Sequence, residues 1–315
     1  MFDVVYVAPH PDDVAFSVAA HLKREVDRGR RVAVFTLFRA ETGPRWAGDP
    51  ERRAEEDATF ARWSGATLLP PRWPDAVDRS PRYRRARHRL ALLSDDEQPL
   101  IDEVAAALQE LVAAGCRRLV APLAVGEHVD HQIAHRAACA VDGAVVWFYE
   151  DCPYALVPHQ LPRRLARLGG AVARDDPSLR RASSLREAWA VARSWTRTPL
   201  FHEHVPALLR PFAAATLAWP TLRQRPQGSP PRPLTMRLLA DEEVAPERLG
   251  AIACYDSQWR LFFPTLADWG AALAAYGHDL GAPSTVERLW RFVAADVGPA
   301  DRGGGGDLSA AAEAW

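Results

Sequence analysis

The first 150 residues alternate short apolar runs with longer segments of helical spacing, and this alternation constrains the fold more than any other feature of the chain. Strands separated by helices of this length are typical of a mainly parallel sheet flanked by helices, an α/β arrangement of the Rossmann-like class. The expected strands are residues 4–8, 32–38, 66–70, 117–123 and 144–150, and the expected helices between them are residues 14–29, 51–65, 99–115 and 128–141.

The later part of the chain has a looser pattern, which predicts an extension of the same domain. We expect one domain over residues 1–295, made of a Rossmann-like core at 1–150 and a C-terminal α/β extension at 151–295 that completes the pocket. The extension contains a Pro-rich loop at 223–234, and the Gly-rich tail at 296–315 is expected to be flexible.

Composition restricts the classes of partner. The formal net charge is −1, from 39 basic and 40 acidic residues, so no basic excess indicates nucleic acid. The four cysteines form no C-x-x-C pair, which favours free thiols in a reducing compartment. No signal-peptide pattern and no apolar run of about 18 residues is present. We expect a cytoplasmic protein that binds a small molecule and neither nucleic acid nor a membrane, and a homo-oligomer is compatible with this composition.

A histidine and two adjacent aspartates follow the first expected strand. The stretch VAPHPDD places His10, Asp12 and Asp13 at the carboxyl end of that strand, where sheets of this class bind ligands. Such groups are costly to bury without partners. Either aspartate could cap the next helix, a common role. A cap explains one carboxylate and leaves the other carboxylate and the histidine without a role.

A second polar cluster follows a later expected strand. The stretch GEHVDHQIAH contributes His128, Asp130, His131 and His135, and it is expected to meet the first cluster at the same sheet edge. Two histidines with one carboxylate suit zinc or another first-row divalent metal and leave a position for water. Such a metal lowers the pKa of bound water to about 7, and a neighbouring carboxylate can take its proton. The two clusters together predict a metal site that activates water.

The pairing of HPDD at 10–13 with HVDH at 128–131 resembles the LmbE/PIG-L deacetylases. These are zinc-dependent hydrolases that remove acyl groups from N-acetylglucosamine-type sugars or cleave related amides. The resemblance covers most of residues 1–295. It continues through TLFRAETG (36–43), RRAEEDATFARWSGA (52–66), WPDAVDR (73–79), FYEDCPYA (148–155), AIACYDSQW (251–259) and ERLWRF (287–292).

The resemblance implies one zinc ion per chain with three ligands, namely His10, Asp13 and His131. It implies that Asp12 is the general base that deprotonates the zinc-bound water. His128 would stabilise the developing oxyanion or protonate the leaving amine. Asp130 would orient a histidine, and we interpret His135 as a surface residue or a neighbour of the ligands.

Further residues are expected to contact the substrate. The candidates for sugar hydroxyls or charged substrate groups are Arg39, Glu41, Arg53, Asp75 and Arg79. Tyr154, Tyr255 and Gln258 are expected either to line the pocket or to brace the C-terminal segment against it.

The chain departs from many relatives at two positions. Val14 stands where many relatives have glutamate, and Gly126 stands where some have a tyrosine. The metal ligands are unaffected, but the oxyanion donor is left open between the backbone and His128.

The sequence therefore predicts a zinc-dependent amide hydrolase, an N-deacetylase acting on an amino sugar or on a metabolite that contains one. One alternative is a thiol-conjugate amidase of the same fold, and another is a non-hydrolytic, metal-binding tailoring protein. A nucleotide-binding module is disfavoured, because the first strand is followed by Pro-Asp-Asp and not by a Gly-rich phosphate loop.

Overall fold

The computed structural model describes residues 1–40, 49–157, 160–169 and 234–292. Its centre is a seven-stranded sheet, and two short strands pair separately. The strands are β1 (Val4–Ala8), β2 (Val32–Thr36), β3 (Phe38–Arg39), β4 (Thr67–Leu69), β5 (Trp73–Pro74), β6 (Arg118–Pro122), β7 (Val145–Tyr149), β8 (Leu234–Leu239) and β9 (Glu287–Phe292).

Helices connect most of these strands. They are α1 (Asp13–Ser17), α2 (Ala19–Asp27), α3 (Pro50–Ser64), α4 (Ala76–Arg79), α5 (Ala86–Arg89), α6 (Gln98–Ala113), α7 (Val129–Cys139), α8 (Gln160–Arg167), α9 (Val244–Ala253), α10 (Asp256–Phe262) and α11 (Leu266–Asp279). Within the four described ranges, no helix has the length and apolarity that crossing a membrane requires.

The order of the strands places a ligand-binding edge beside β1. The sheet runs β4-β2-β1-β6-β7-β9-β8, in which the first five strands are parallel and the last two are antiparallel to their neighbours. All five residues of β1 are buried. The chain leaves β1 towards β2 on one side and later returns to β6 on the other, so the order reverses between β1 and β6. Ligands bind at such a reversal, outside the carboxyl ends of the strands. The expected α/β fold class is confirmed.

The prediction of a single helix at 14–29 is wrong, because the helix is interrupted at Val18, whose backbone is not helical (φ −148°, ψ 26°). Glu287 on β9 accepts hydrogen bonds from the backbone N–H groups of Ala20 (2.9 Å) and His21 (2.8 Å). These N–H groups belong to the first turn of α2 and have no partner within the helix. A carboxylate 267 positions away from Ala20 therefore caps a new helix.

The strand expected at 32–38 is divided for a similar reason. It ends at Thr36, and the carbonyl of Leu37 then accepts hydrogen bonds from the backbone N–H groups of Arg72 (3.2 Å) and Trp73 (3.1 Å). The chain thus changes partners and continues as β3 beside β5. The helix expected at 51–65, by contrast, ends as predicted, because Gly65 adopts a left-handed φ of 73° that glycine tolerates best.

The later part of the chain joins the same sheet. Strands β8 and β9 extend it beyond β7. The Pro-rich loop expected at 223–234 lies outside the described residues except for Leu234, and the tail expected at 296–315 lies wholly outside them. The division of residues 1–295 into a core and an extension stays a prediction.

Candidate metal centre and active site

Side chains from separate loops meet at the carboxyl edge of the sheet. His10 and Asp13 follow β1, and His131 lies in the first turns of α7, after β6. The ring centroids of the two histidines are 5.3 Å apart. Asp151, directly after β7, reaches the same place. The two polar clusters singled out in the sequence therefore lie side by side.

Each of the two histidines is oriented by a carboxylate. His10 Nε2 lies 3.0 Å from Asp130 Oδ2, and His131 Nδ1 lies 2.6 Å from Asp151 Oδ1. A carboxylate only accepts hydrogen bonds, so the proton of each neutral imidazole is assigned to the nitrogen that faces it. The other nitrogens, His10 Nδ1 and His131 Nε2, then carry lone pairs.

Asp13 faces both of these lone pairs. Its Oδ2 atom lies 3.3 Å from His10 Nδ1 and 3.3 Å from His131 Nε2. A proton on either histidine, or a metal cation among the three atoms, would relieve the repulsion between these lone pairs. Ligands held 2.0–2.2 Å from a tetrahedral zinc ion are about 3.3 Å apart. The two distances to Asp13 Oδ2 therefore match the spacing of donors around a divalent metal.

The charges around the three side chains also favour a cation. Burial alone would lower the pKa of His10, but hydrogen bonds to Asp13 and Asp130 raise it well above its usual value. Burial likewise opposes protonation of His131, and Asp13 and Asp151 raise its pKa. Asp13 itself resists protonation: burial would raise its pKa, but the two histidines hold it at about 2. Positive charge is thus stabilised where the three side chains converge.

His128 lies beside this set in a different role. Its ring nitrogens come within 4.8 Å of those of His10 and His131, so distance alone would admit it as a ligand. However, His128 is the N-cap residue of α7, and its Nδ1 accepts a hydrogen bond from the backbone N–H of Asp130 at 3.3 Å. Burial and the neighbouring His10 hold the pKa of His128 well below its usual value. The ring is therefore neutral, with its proton on Nε2, and it can donate a hydrogen bond next to the metal site.

Asp12 is buried at the start of α1 without capping it. The residue occupies the N-cap position, but its side chain makes no capping hydrogen bond. Its Oδ1 instead accepts a long hydrogen bond from Arg53 Nη2 at 3.4 Å. Asp13 makes no cap either, since its carboxylate accepts the N–H of His10 at 2.7 Å. Capping, the alternative explanation of the two acids, therefore does not apply.

Asp130 is held by several partners. Its Oδ1 lies 2.6 Å from Arg79 Nη2, and its Oδ2 accepts the backbone N–H of Ala76 at 3.1 Å as well as facing His10. Asp75 Oδ2 also lies 3.4 Å from His10 Nε2. Burial raises the pKa of Asp75, while His10 lowers it. The contact between Asp130 and His10 is of the kind that the resemblance implies for Asp130.

The arginines expected to contact substrate already have partners within the protein. Arg39 pairs with Asp57, which also accepts a hydrogen bond from the Tyr255 hydroxyl at 3.0 Å. Arg79 holds Asp130 and donates to the carbonyl of Pro74. Glu41 lies outside the described residues. Substrate contacts by Arg39, Glu41, Arg53, Asp75 and Arg79 stay predictions.

Sequence reasoning missed Asp151. Besides orienting His131, this buried residue accepts the backbone N–H of Val125 at 2.7 Å, which fixes the loop after β6. Burial raises the pKa of its carboxyl, and His131 lowers it. Its position directly after a buried strand, the same signal that singled out His10, could have found it.

The structure corrects the interpretation of His135 as a surface residue. His135 is buried on α7, with Nδ1 3.0 Å from the carbonyl oxygen of Pro122 and its ring 4.5 Å from that of Phe148. Burial lowers its pKa to about 3. The apolar spacing of α7 favours this inward position.

Residues 5–141 match the family model described as PIG-L, GlcNAc-PI de-N-acetylase. Over these residues, called the PIG-L segment below, the chain is similar to that family. The match confirms the resemblance on which the residue roles were based. The PIG-L segment contains His10, Asp13 and His131, whereas Asp151 and Tyr154 lie beyond its end.

Three further proteins are similar to this chain. A 2'-N-acetylparomamine deacetylase from Streptomyces fradiae is 36% identical over 174 residues, which cover 47% of this chain and 56% of the relative. The match thus spans little more than half the length of this curated relative. A deacetylase from teicoplanin biosynthesis superposes with a TM-score of 0.61 at 19% identity, over 93% of this chain and 99% of that one. A zinc-inhibited form of teicoplanin deacetylase gives 0.60 at 18% identity, over the same shares of the two chains. These similarities show a shared fold.

Replacing Asp151 with asparagine is expected to weaken metal binding about 10- to 100-fold, because residues that orient a metal-binding histidine typically contribute this much. An amide has only one oxygen, so it can accept the N–H of Val125 or the N–H of His131 but not both. Competition with a chelator measures the affinity.

The matched control for this variant is Glu150→Gln, one residue earlier. Glu150 bonds Trp290 Nε1 at 2.7 Å and Tyr276 at 2.5 Å, not the histidines. The Glu150→Gln variant should have a lower melting temperature and an unchanged affinity for the metal. Equal affinities for Asp151→Asn and the unaltered protein would contradict the assigned role.

His135 is expected to make the PIG-L segment acid-sensitive. The unfolded chain takes up a proton near pH 6.5, whereas the folded protein does so only near pH 3. The unfolded state therefore binds more protons between these values, and stability is lost as the pH falls through that window. The contribution is about 1.4 kcal/mol per pH unit. His135→Gln, which keeps a donor for Pro122, should lose less unfolding free energy between about pH 6 and pH 5 in urea titrations. Identical slopes for both proteins would refute this.

Proposed function

We propose that this protein is a zinc-dependent N-deacetylase that removes an acetyl group from an amino sugar or from a small molecule containing one. The observation that carries the proposal is the position of Asp13 Oδ2, 3.3 Å from nitrogens of both His10 and His131. The PIG-L match supports the reaction class. The three side chains would hold one zinc ion per chain, and another first-row divalent metal would also suit them.

The metal and the surrounding side chains divide the chemistry. When bound, the metal supplies a Lewis acid that polarises the amide carbonyl and makes water acidic enough to lose a proton near neutral pH. Asp12 takes the proton of the attacking water and passes it to the leaving nitrogen, so that amide and water become amine and acetate. Arg53 holds the Asp12 carboxylate in place.

His128 contributes as a neutral donor. Because its Nδ1 is occupied by the N–H of Asp130, its Nε2–H faces outward from the helix cap. It donates a hydrogen bond to the carbonyl oxygen as that oxygen gains negative charge. Between the two roles that the resemblance implies for His128, this tautomer favours stabilisation of the oxyanion.

The substrate class is inferred from the relative and from the polarity of the site. The relative is named for the deacetylation of 2'-N-acetylparomamine. Asp75 lies 3.4 Å from His10 and Arg53 contacts Asp12, so charged groups that can bind sugar hydroxyls or amines lie beside the ligand set. We therefore expect a small, polar, polyhydroxylated partner.

The test is amide hydrolysis by the purified, zinc-loaded chain. 2'-N-acetylparomamine and N-acetylglucosamine serve as substrates, N-acetylalanine is the comparison, and released acetate is measured. We expect turnover of at least one sugar, loss of activity with a chelator and its return with zinc. Bound metal without hydrolysis of either sugar would refute the proposal.

A further inference from the structure

The ring of Tyr154 packs directly on the backbone of Gly126. A Cβ atom at position 126 would lie 2.5 Å from Tyr154 Cγ and 2.7 Å from its Cδ1, which no side chain allows. Gly126 also has a φ of 85°, a conformation that other residues rarely adopt. Position 126 therefore admits only glycine, because the ring of Tyr154 occupies the space that a side chain would need.

The same loop fixes Tyr154 beside the metal ligands. Asp151 accepts the N–H of Ala155 through its backbone carbonyl at 2.8 Å, and its carboxylate holds both Val125 and His131. The ring of Tyr154 meets that of His131 edge-on, with centroids 6.2 Å apart and planes at 88°. One residue therefore sets the positions of the ligand, of the loop and of the tyrosine.

The Tyr154 hydroxyl has no structural task in the described part of the chain. No described residue forms a hydrogen bond with it, whereas the hydroxyls of Tyr6, Tyr149, Tyr255 and Tyr276 each do. A tyrosine hydroxyl keeps its proton near neutral pH, so it can donate a hydrogen bond to a group bound beside His131.

We propose that Tyr154 is a catalytic residue whose hydroxyl donates a hydrogen bond to the amide carbonyl oxygen of the substrate, together with His128. This inference rests on the proposed function. No covalent bond to Tyr154 is made, because the phenol keeps its proton and only stabilises the charge that develops on the oxygen. Loss of one such donor costs about 100- to 1000-fold in kcat in other enzymes.

The test compares two variants that each remove one hydroxyl. In Tyr154→Phe we expect kcat to fall about 100-fold, with KM, zinc content and melting temperature nearly unchanged, since a donor to the transition state is lost. In the control, Tyr6→Phe, the lost hydroxyl forms a hydrogen bond with His21 at 2.5 Å, and His21 is not one of the proposed ligands. That variant should have a lower melting temperature and an unchanged kcat.

The outcomes separate this inference from the proposed function. If the unaltered protein hydrolyses N-acetylated sugars and Tyr154→Phe does so equally fast, Tyr154 is not a donor and the inference fails alone. A Tyr154→Phe variant with lower melting temperature and unchanged kcat would also overturn it, because that is the pattern of a bracing residue. If the unaltered zinc-loaded protein hydrolyses no sugar amide, the proposed function itself fails.

Discussion

Replacing His131 or His10 with alanine is expected to reduce bound zinc from about one ion per chain to nearly none, and to abolish hydrolysis with it. Each substitution removes one of the two nitrogens that face Asp13 Oδ2 at 3.3 Å. Two remaining ligands cannot complete a site that keeps three protein ligands and one open position. Elemental analysis of protein dialysed against zinc measures the content.

The control for the ligand set is His128→Asn. Asparagine keeps an acceptor at the N-cap position of α7. Because the lone pair of His128 Nδ1 is already used by the N–H of Asp130, this variant should retain zinc and lose activity. Loss of zinc from His128→Asn would instead indicate that His128 is itself a ligand. Zinc retained in both alanine variants would contradict the assignment of His10 and His131 as ligands.

The second large effect is expected from two adjacent substitutions. Asp12→Asn should keep its zinc and lose about 100- to 10,000-fold in kcat, because an amide cannot accept the proton of water. Asp13→Asn should lose most of its zinc, because an amide replaces the charged oxygen that both histidines face. Zinc content and kcat are measured on the same samples, with thermal unfolding to verify the fold.

These two variants distinguish neighbouring carboxylates of the same motif. Both aspartates are buried, with 9% and 8% of their surfaces exposed, so burial does not separate their roles. Their contacts do, because Asp12 faces Arg53 and Asp13 faces the histidines. Substantial activity in zinc-loaded Asp12→Asn would exclude Asp12 as the base, and zinc retained by Asp13→Asn would exclude Asp13 as a ligand.

Much of the fold is predictable because its signals are local. The apolar run at residues 4–8 is short and rich in β-branched residues, as buried strands are, and Gly65 ends α3 with a φ that glycine tolerates best. The position of His10 and Asp13 follows from the same logic, since a parallel sheet collects the ends of its strands at one edge. These parts of the candidate site could be found without coordinates.

The remaining features depend on contacts between distant segments. No local pattern predicts that the helix is interrupted at Val18, because the carboxylate that caps the following helix, α2, comes from Glu287. The Tyr154 ring similarly packs where it does because Gly126, 28 positions earlier in the chain, has no Cβ atom. Spacing along a sequence carries no information about such pairings.

The cap that Glu287 provides has a consequence for synthesis. All three proposed ligands are synthesised before residue 132. The first turn of α2, however, keeps two unsatisfied N–H groups until residue 287 has been made and β9 has joined the sheet. Contacts of such long sequence separation form slowly. In a growing chain, α2 therefore receives its cap only after residue 287 has been made, long after the segments that carry His10, Asp13 and His131.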